Sequence, residues 1–433
     1  MEKLKIGVFG IGRGIAHASS LKDSDRASVV AICEKRDEIV EWAKLRLSGQ
    51  NISFYKTFDE FIAHDMDVVV LANYAPQHAP YAIRCLEKGL HVISELVPFQ
   101  TMKEAVELAE AVDKSGKVYA YAENCCYMLA PVEMKRLYKE GRIGEFRYGE
   151  CEYLHTMTEE GRSRYTYGDP THWRNNMYST FYCTHSLGPI IHATGLRPVS
   201  VTGFELPWNS TTGRKGSSCG IEMVTLENGA IVKSTHGSLT DYSLWWTMYG
   251  TRGAMESERH NHKNGDTKRI YINPNWQHDE TGTMKVEKIE TYEIIPSERA
   301  KNSGHGGSDY NLMDQVINKI NGDDSADIID FYEACDMFLP GMFAYRSLLN
   351  GGIPMEIPNL RDKAVREQYR NDTMCTDPEV AGDMLIPSYS KGNPDIPDST
   401  YERIRKMWDQ FAVEEKERIE REIREMRETK VNN

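Results

Sequence analysis

The first residues able to do chemistry lie ten positions into the chain. Gly10-Ile11-Gly12-Arg13-Gly14 follows a short apolar run, Leu4 to Phe9, and precedes a helical stretch. Glycine at the first position allows a tight turn. At the second it leaves the backbone bare, so that a pyrophosphate can reach amide donors at a helix N-terminus. The third glycine falls one place early for G-x-G-x-x-G, with Ile15 where that pattern has a small residue. Glycine turns after strands are common, so the turn alone is a weak signal. A second run, SVVAICE, ends on Glu34, roughly the twenty residues beyond the glycines that a ribose-binding acid requires. A carboxylate there accepts both ribose hydroxyls of NAD and repels the extra phosphate of NADP. Lys35 and Arg36 follow it and leave NADP open. Taken by itself, Glu34 is only a charged residue ending a strand.

These groups need a scaffold, and the alternation of the chain supplies one. Helical spacing runs from Asp37 to Leu47 and again near Phe58 to Ala63. The strand DVVVLAN follows, with Asn73 at its tip, then a helix from His78 to Lys88 and the strand HVISE. That βαβ order implies a doubly wound parallel sheet, which binds ligands at the carboxyl ends of its strands. A chain of 433 residues is long enough for two domains plus extensions. Its 40% hydrophobic and 10% aromatic content fits a folded protein. A net charge of −13 argues against nucleic acid or an anionic membrane as partner, since both need a basic face. No apolar run has the length of a bilayer span, and MEKLKIGVFG enters a strand without a signal-peptide core. Nine cysteines, without CxxC or CxxxH spacing, point to reduced thiols in a cytoplasm and to no metal site.

The stretch from Asp67 through Asn73, His78, Gly89-Leu90-His91-Val92 and Glu95-x-x-Pro98 resembles the Gfo/Idh/MocA family of NAD(P)-dependent sugar oxidoreductases. The resemblance continues in Gly116-Lys117-Val118, in Glu140-Gly141-Arg142-Ile143-Gly144, in Trp173-Arg174, His185 and Gly195, and in GGIPMEIP at 351–358. It implies an α/β plus α+β architecture. An N-terminal Rossmann domain (1–123) with a doubly wound parallel sheet would be followed by a second domain (124–360) on a large open antiparallel sheet, then by an extension (361–433). It implies NAD as cofactor, held by Gly10, Gly12, Arg13, Gly14, Glu34, Asn73, His78, Glu95 and Pro98. The partner would be a small carbohydrate or glycoside, and the sheet would mediate a homodimer or homotetramer.

Two departures from the family matter. Its Glu-Lys-Pro becomes Glu95-Leu96-Val97-Pro98, which lacks the lysine that helps to deprotonate the sugar hydroxyl. Its Asp-xxx-His becomes Phe181-xxx-His185, which keeps the histidine and loses the acid. These replacements resemble a subgroup that includes glycoside hydrolase family 109, the NAD-dependent glycosidases. The shared patterns are E-x-x-P at 95–98, AENCCY at 122–127, Tyr153, the run YCTHSLGP at 182–189, and Gly304-His305-Gly306-Gly307. Carried over residue by residue, the resemblance makes Glu123, Tyr153, Tyr182 and His185 the active-site candidates, with His305 on a glycine-rich loop beside them.

The chemistry implied is oxidation at C3 of a sugar, loss of the acidified C2 proton, elimination of the C1 substituent, addition of water and return of the hydride. His185 would handle the C3 hydroxyl proton and Tyr153 the C2 proton, with Glu123 and Tyr182 orienting or protonating the leaving group. A tyrosine serves as base only where a cation or donor lowers its pKa. Equally consistent is an ordinary dehydrogenase in which His185 alone replaces the lysine, and a third reading is a nucleotide-binding regulatory protein without catalysis. Each residue also has a plainer role. Tyr153 is one of 23 tyrosines, and tyrosine on a strand is usually packing; His185 can cap or fill a core, and Glu123 can be a solvated strand end. Trp173 and Arg174 can bind sugar hydroxyls or an anionic substituent, or Arg174 can form a structural ion pair.

The spacings at 308–320 and 330–349 resemble the helices that pack on the family's sheet. Beyond 360 the resemblance fades. A Pro-, Asp- and Ser-rich loop at 386–400 leads to a charged helix, Tyr401 to Lys430, whose alternating signs fit a solvated or subunit-bridging role.

Overall fold

Apolar runs bounded by glycine and asparagine make buried strands, and their order in the chain sets the sheet. The structure is a computed structural model that describes residues 2–22, 24–209, 211–239, 242–259, 269–273, 277–278, 284–285 and 290–431. Strands β1 (Leu4–Phe9), β2 (Ala27–Cys33), β3 (Ser53–Tyr55), β4 (Val68–Leu71), β5 (His91–Ser94) and β6 (Tyr119–Tyr121) pair in the order β3-β2-β1-β4-β5-β6, all parallel. Their crossovers are α1 (Ile11–Ser20), α2 (Asp37–Arg46), α3 (Phe58–Ile62), α4 (His78–Glu87) and α5 (Met102–Ser115). Helix α5 shows why the local boundaries fall where they do. Thr101 and Glu104 close a capping box at its start, and Gly116 ends it in the left-handed region. β1 and β4 diverge at Gly10, where the sheet's strand order reverses, so the glycine turn sits at the switch point.

Gly10 has φ +89°, and a Cβ there would lie 2.4 Å from the Ala72 carbonyl oxygen. Both facts exclude other residues. Gly10→Ala is therefore expected to cost about 2 kcal/mol or more. A lowered melting temperature in the cofactor-free protein would show it, and an unchanged one would mean the turn is not held as described.

Helix α6 (Leu129–Lys139) leads into the second sheet. This consists of β7 (Phe146–Leu154), β8 (Pro198–Glu205), β9 (Cys219–Leu226), β10 (Ile231–Gly237), β11 (Ser243–Gly250), β12 (Ala254–Ser257), β13 (Arg269–Asn273), β16 (Glu290–Glu293) and β17 (Met355–Glu356). A two-stranded pair, β14 (Gln277–His278) and β15 (Met284–Lys285), stands apart. The order is β16-β13-β12-β11-β7-β10-β9-β8-β17. Every pairing is antiparallel except β7 with β10, which makes the large sheet mixed. The stretches read as strands at 220–239 and 243–257 are β9–β10 and β11–β12. Between β7 and β8 lie α7 (Glu159–Thr166) and α8 (Cys183–Thr194). Helix α8 is buried on nearly every side, His185 apart, and packs against β7, β10 and β11. Trp246 fills the core beneath it and donates its Nε1–H to the Ser186 carbonyl, 2.8 Å.

Helices α9 (Ser308–Ile320) and α10 (Phe331–Leu349) occupy the spans that their apolar spacing marks. Helix α10 packs on β8 and α8, as the resemblance implies, but α9 turns back to the first domain and packs on α1. Arg26, just before β2, binds Asp314 and Asn318 on α9. After α11 (Lys363–Tyr369) and α12 (Pro378–Ala381), the chain ends in α13 (Asp398–Val431). One face of this helix is not solvated. It packs on α2 and α7, burying Ile404, Trp408 and Ile419. Those positions, with Phe411 and Glu415 between, follow an i, i+4, i+7, i+11, i+15 seam. The seam is narrow, so the surrounding charges hide it in the sequence. No helix among the described residues is long and apolar enough to cross a membrane.

Candidate active site

Carboxyl ends of the parallel strands open into a cleft of about 1040 Å³, shared with β7, α7, α8 and α13. At one end lies the glycine turn. Gly12, in the first turn of α1, lines the cleft without a side chain, and a Cβ there would come 2.7 Å from the Tyr167 hydroxyl. Glu34 faces it from the tip of β2. Its carboxylate accepts the Ile11 amide at 3.2 Å and the Arg36 amide at 3.0 Å. Bare amides at a helix N-terminus with a carboxylate beside them fit the pyrophosphate and ribose of NAD. Gly14 serves packing instead: it is buried, and a Cβ there would meet Val8 at 2.5 Å. The two cations after Glu34 are engaged with rings. Lys35 lies 4.2 Å over Tyr74, while Arg36 donates to the Tyr74 hydroxyl and lies 4.1 Å over Tyr167.

The outer wall at this end comes from α13. Trp408, Phe411 and Glu415 line the cleft opposite Trp42 of α2. Trp408 meets Tyr167 edge-on at 5.2 Å, and Glu415 pairs with Arg46 at 3.3 Å.

At the turn after β5, the missing lysine is replaced by apolar packing. Leu96 and Val97 are buried, and Leu96 lines the cleft. Glu95 is held by Arg13 (Nε, 2.9 Å) and His17 (Nε2, 2.7 Å). Burial alone would raise its carboxyl, but the Arg13 charge and the His17 hydrogen bond bring it down to about 2. Arg13 also pairs with buried Asp309 at 2.7 Å, and Asp309 accepts His305 Nδ1 at 2.9 Å. This arrangement ties the GHGG loop to the glycine turn, with His305 itself exposed on the cleft rim. His78 faces the carbonyls of Val97 (2.9 Å) and Asn73 (3.3 Å), and burial keeps it neutral. Asn73 and His78 both line the cleft, whereas Pro98 is buried away from it.

The opposite end holds the groups able to move protons. Glu123, fully buried just beyond β6, accepts the Cys125 amide (3.0 Å) and His185 Nδ1 (2.8 Å) through one oxygen. His185 sits in the first turn of α8. Its ring stacks on Tyr153 of β7, with centroids 4.3 Å apart, and lies nearly parallel to Tyr182 at 5.8 Å. Because Nδ1 is spent on a carboxylate, it carries the proton, and Nε2 is left as the acceptor. The Tyr182 hydroxyl accepts Arg174 Nη1 at 2.9 Å. Burial raises the phenol of Tyr153 well above its ordinary value; it also raises Tyr182, which the Arg174 charge and hydrogen bond oppose. Trp173 lines the cleft beside Arg174, whereas Trp245 and Trp246 lie away from it, in the large sheet. Glu123, Cys125 and His185 could also present three donor atoms to a metal, all within 4.8 Å of one another. Burial and the Glu123 charge push the Cys125 thiol well up, however, which disfavours the thiolate a metal needs. All nine cysteines are free and buried.

The cleft thus brings together, at one end or the other, the sequence candidates Gly10, Gly12, Arg13, Glu34, Asn73, His78, Glu95, Tyr153, Trp173, Arg174, Tyr182, His185 and His305, with Glu123 behind His185. Sequence reasoning missed Asp309, Tyr167, His172, Arg162 and Arg214. None belongs to a short motif. His172 is buried, and burial with the charges of Arg174 and Arg36 pushes it down to about 2, so it is a neutral member of the wall.

A parallel nucleotide-binding sheet joined to a large mixed sheet, with a proton-handling cluster between them, defines a two-domain NAD-dependent oxidoreductase-type enzyme. Residues 4–123 match the GFO_IDH_MocA model, the oxidoreductase family with an NAD-binding Rossmann fold. Residues 207–365 match the C-terminal domain of glycosyl hydrolase 109. The two matches follow one another along the chain, the first to the oxidoreductase family and the second to the family 109 proteins. It is similar to a glycosyl hydrolase family 109 protein of Streptomyces coelicolor, 24% identical over 88% of each chain. An alpha-N-acetylgalactosaminidase of Shewanella oneidensis is 24% identical over 44% of each. An oxidoreductase from Agrobacterium radiobacter, solved with NAD+, L-tartaric acid and magnesium, shares the fold. Its TM-score is 0.66 at 16% identity, covering 82% of this chain and 99% of that one.

Proposed function

We propose that this sugar-active, NAD-dependent enzyme cleaves glycosides by transient oxidation at C3. The observation that carries the reading is His185, pinned at Nδ1 by buried Glu123 and stacked on Tyr153. The glycine turn and Glu34 would hold NAD+, which would supply a hydride acceptor for C3 and, once reduced, the hydride donor that closes the turnover. His185 Nε2 takes the C3 hydroxyl proton, and Glu123 stabilises the imidazolium so formed. Tyr153, stacked on His185, takes the proton on the adjacent carbon, C2, only as the phenolate, a form that burial makes scarce. Loss of that proton expels the C1 substituent, and Tyr182, held by Arg174, protonates the departing oxygen. Water then adds at C1, so the net reaction is hydrolysis. Names borne by the Streptomyces and Shewanella relatives support a glycoside as the substrate class.

Incubation of the NAD+-loaded protein with aryl glycosides in D₂O tests this. Aglycone release with deuterium at C2 and no accumulating NADH is the expected result. Stoichiometric NADH with an intact glycosidic bond would replace it with an ordinary dehydrogenase, and bound cofactor without turnover with a regulatory protein. Tyr153→Phe is expected to abolish deuterium exchange at C2. Since burial holds the Tyr153 phenol above its ordinary value, the fraction able to accept a proton grows with pH, and exchange should speed up as pH rises toward 9. A flat pH profile would remove Tyr153 from that role.

A further inference from the structure

Three arginines converge on the Tyr182 end of the cleft. Arg162 comes from α7, Arg174 from the turn before α8 and Arg214 from the loop before β9, and all three line the cavity. Arg162 and Arg214 are 4% and 9% exposed. Burying a guanidinium is costly unless a carboxylate joins it. The other buried arginines among the described residues obey this rule. Arg346 pairs with Asp372 at 2.6 Å and Arg366 with Asp113 at 2.8 Å.

Arg162 and Arg214 do not. Among the described residues neither makes an ion pair, and the Nε of each is buried without a hydrogen-bond partner. Arg214 Nη2 donates only to the Tyr178 carbonyl, 3.2 Å, and Arg174 Nη1 only to the Tyr182 hydroxyl, 2.9 Å. The neighbouring histidine, His172, is neutral. Burial, then the charges of Arg214 and Arg174, push Arg162 down to about 9; burial chiefly pushes Arg214 down to about 10. Since a guanidinium does not give up its proton, these directions measure an unbalanced positive charge.

We infer that these arginines form a subsite for an oxyanion carried by the sugar, a uronic-acid carboxylate or a sulfate ester, beside the carbons worked on by His185 and Tyr153. The inference rests on the sugar-active reading of this cleft. A planar guanidinium fork matches a carboxylate in two parallel hydrogen bonds, and Arg162 and Arg214 each keep donors unused. The cofactor's own phosphates have a separate place at the glycine turn. Tyr182, the charge neighbour of all three arginines, stacks toward His185 instead, which puts the anion on the substrate side.

The melting temperature of the NAD+-saturated protein, titrated at constant ionic strength, tests this. The probes are galacturonate, glucuronate and galactose 6-sulfate, against galactose and glucose. At least one anionic sugar should raise the melting temperature at a concentration at least tenfold below that needed by its neutral parent. The uronates and the sulfate ester, compared with each other, decide between carboxylate and sulfate. Arg162→Met and Arg214→Met should lose that preference. Without sugar, each should melt at or above the wild-type temperature, because an unpaired buried charge has been removed. Equal shifts from acid and neutral sugars, zero included, would overturn the inference in the wild-type protein alone, whether or not the variants fold. So would variants that lose NAD+ affinity and keep the sugar preference, since the cluster would then serve the cofactor. Aglycone release plays no part in this readout. A preference for anionic sugars in a protein that leaves aryl glycosides uncleaved would leave the subsite standing and remove only the glycosidase reading.

Discussion

His185→Ala is expected to lower turnover of an aryl glycoside by about 10²–10⁴-fold while the protein still binds NAD+. The imidazole lines the cleft and is pinned at Nδ1 by the buried Glu123 carboxylate, which leaves Nε2 as an acceptor beside Tyr153. Leu96 and Val97 fill the place where a lysine would otherwise share the work. The Tyr153 ring offers stacking but no acceptor for the C3 proton while burial keeps it protonated. Glu123→Gln is the finer probe, because the amide preserves the shape and withdraws the charge that stabilises the imidazolium. Its rate should fall by less than that of His185→Ala, and the pH at which the rate rises should move. Externally added imidazole should restore part of the activity to His185→Ala and none to Glu123→Gln. Unchanged turnover in His185→Ala would end the proposed chemistry.

Acid is expected to unfold the protein through Glu95. The Glu95 carboxyl, ordinarily near 4.5, is brought to about 2 in the fold, against the pull of burial, by Arg13 and His17. A group whose folded value lies below its unfolded one stabilises fully above the unfolded value. That stabilisation disappears as pH falls through the folded value. The window is therefore pH 4.5 down to about 2, and the size at neutral pH is about 3 kcal/mol. Asp309 adds in the same sense, since His305 and Arg13 outweigh its burial and hold it well below the usual carboxylate range. Glu95→Gln should lose about 3 kcal/mol at pH 7, because buried His17 loses its acid and half-buried Arg13 keeps only Asp309. Its denaturant midpoint should also change less between pH 5 and pH 3 than that of the wild-type protein. The same acid slope in both would show that Glu95 is not where the sensitivity lies.

What could be seen in the amino acids was whatever is encoded locally. β4 and β5 are apolar runs with short boundaries, and α9 begins and ends where its periodicity does. The site candidates were legible where a strand tip or a helix start carries them, as with Glu34, Glu123 and His185. Contacts made across long stretches of chain were not. Arg13 and Asp309 are 296 residues apart and neither gives away its partner. The parallel pairing of β7 with β10, which puts Tyr153 beside His236 at the centre of the sheet, depends on topology, not composition. Nothing local marks Arg162 and Arg214, which are buried and, among the described residues, make no ion pair. In α13 the charged majority conceals a five-position seam whose complement lies on α2 and α7.

That seam also sets an order of events during synthesis. Domains fold as they emerge, N-terminal first. The parallel sheet and its glycine turn are complete once α5 and β6 have formed, yet Arg46 waits 369 residues for Glu415, and Trp42 nearly as long for Trp408. Until α13 arrives, the nucleotide end of the cleft is a shelf with an exposed tryptophan. Once it docks, the shelf becomes an enclosed slot. A chain stopped before α13 would lack that outer wall, so it is expected to hold NAD+ more weakly than the full chain, which equilibrium binding of the two would show.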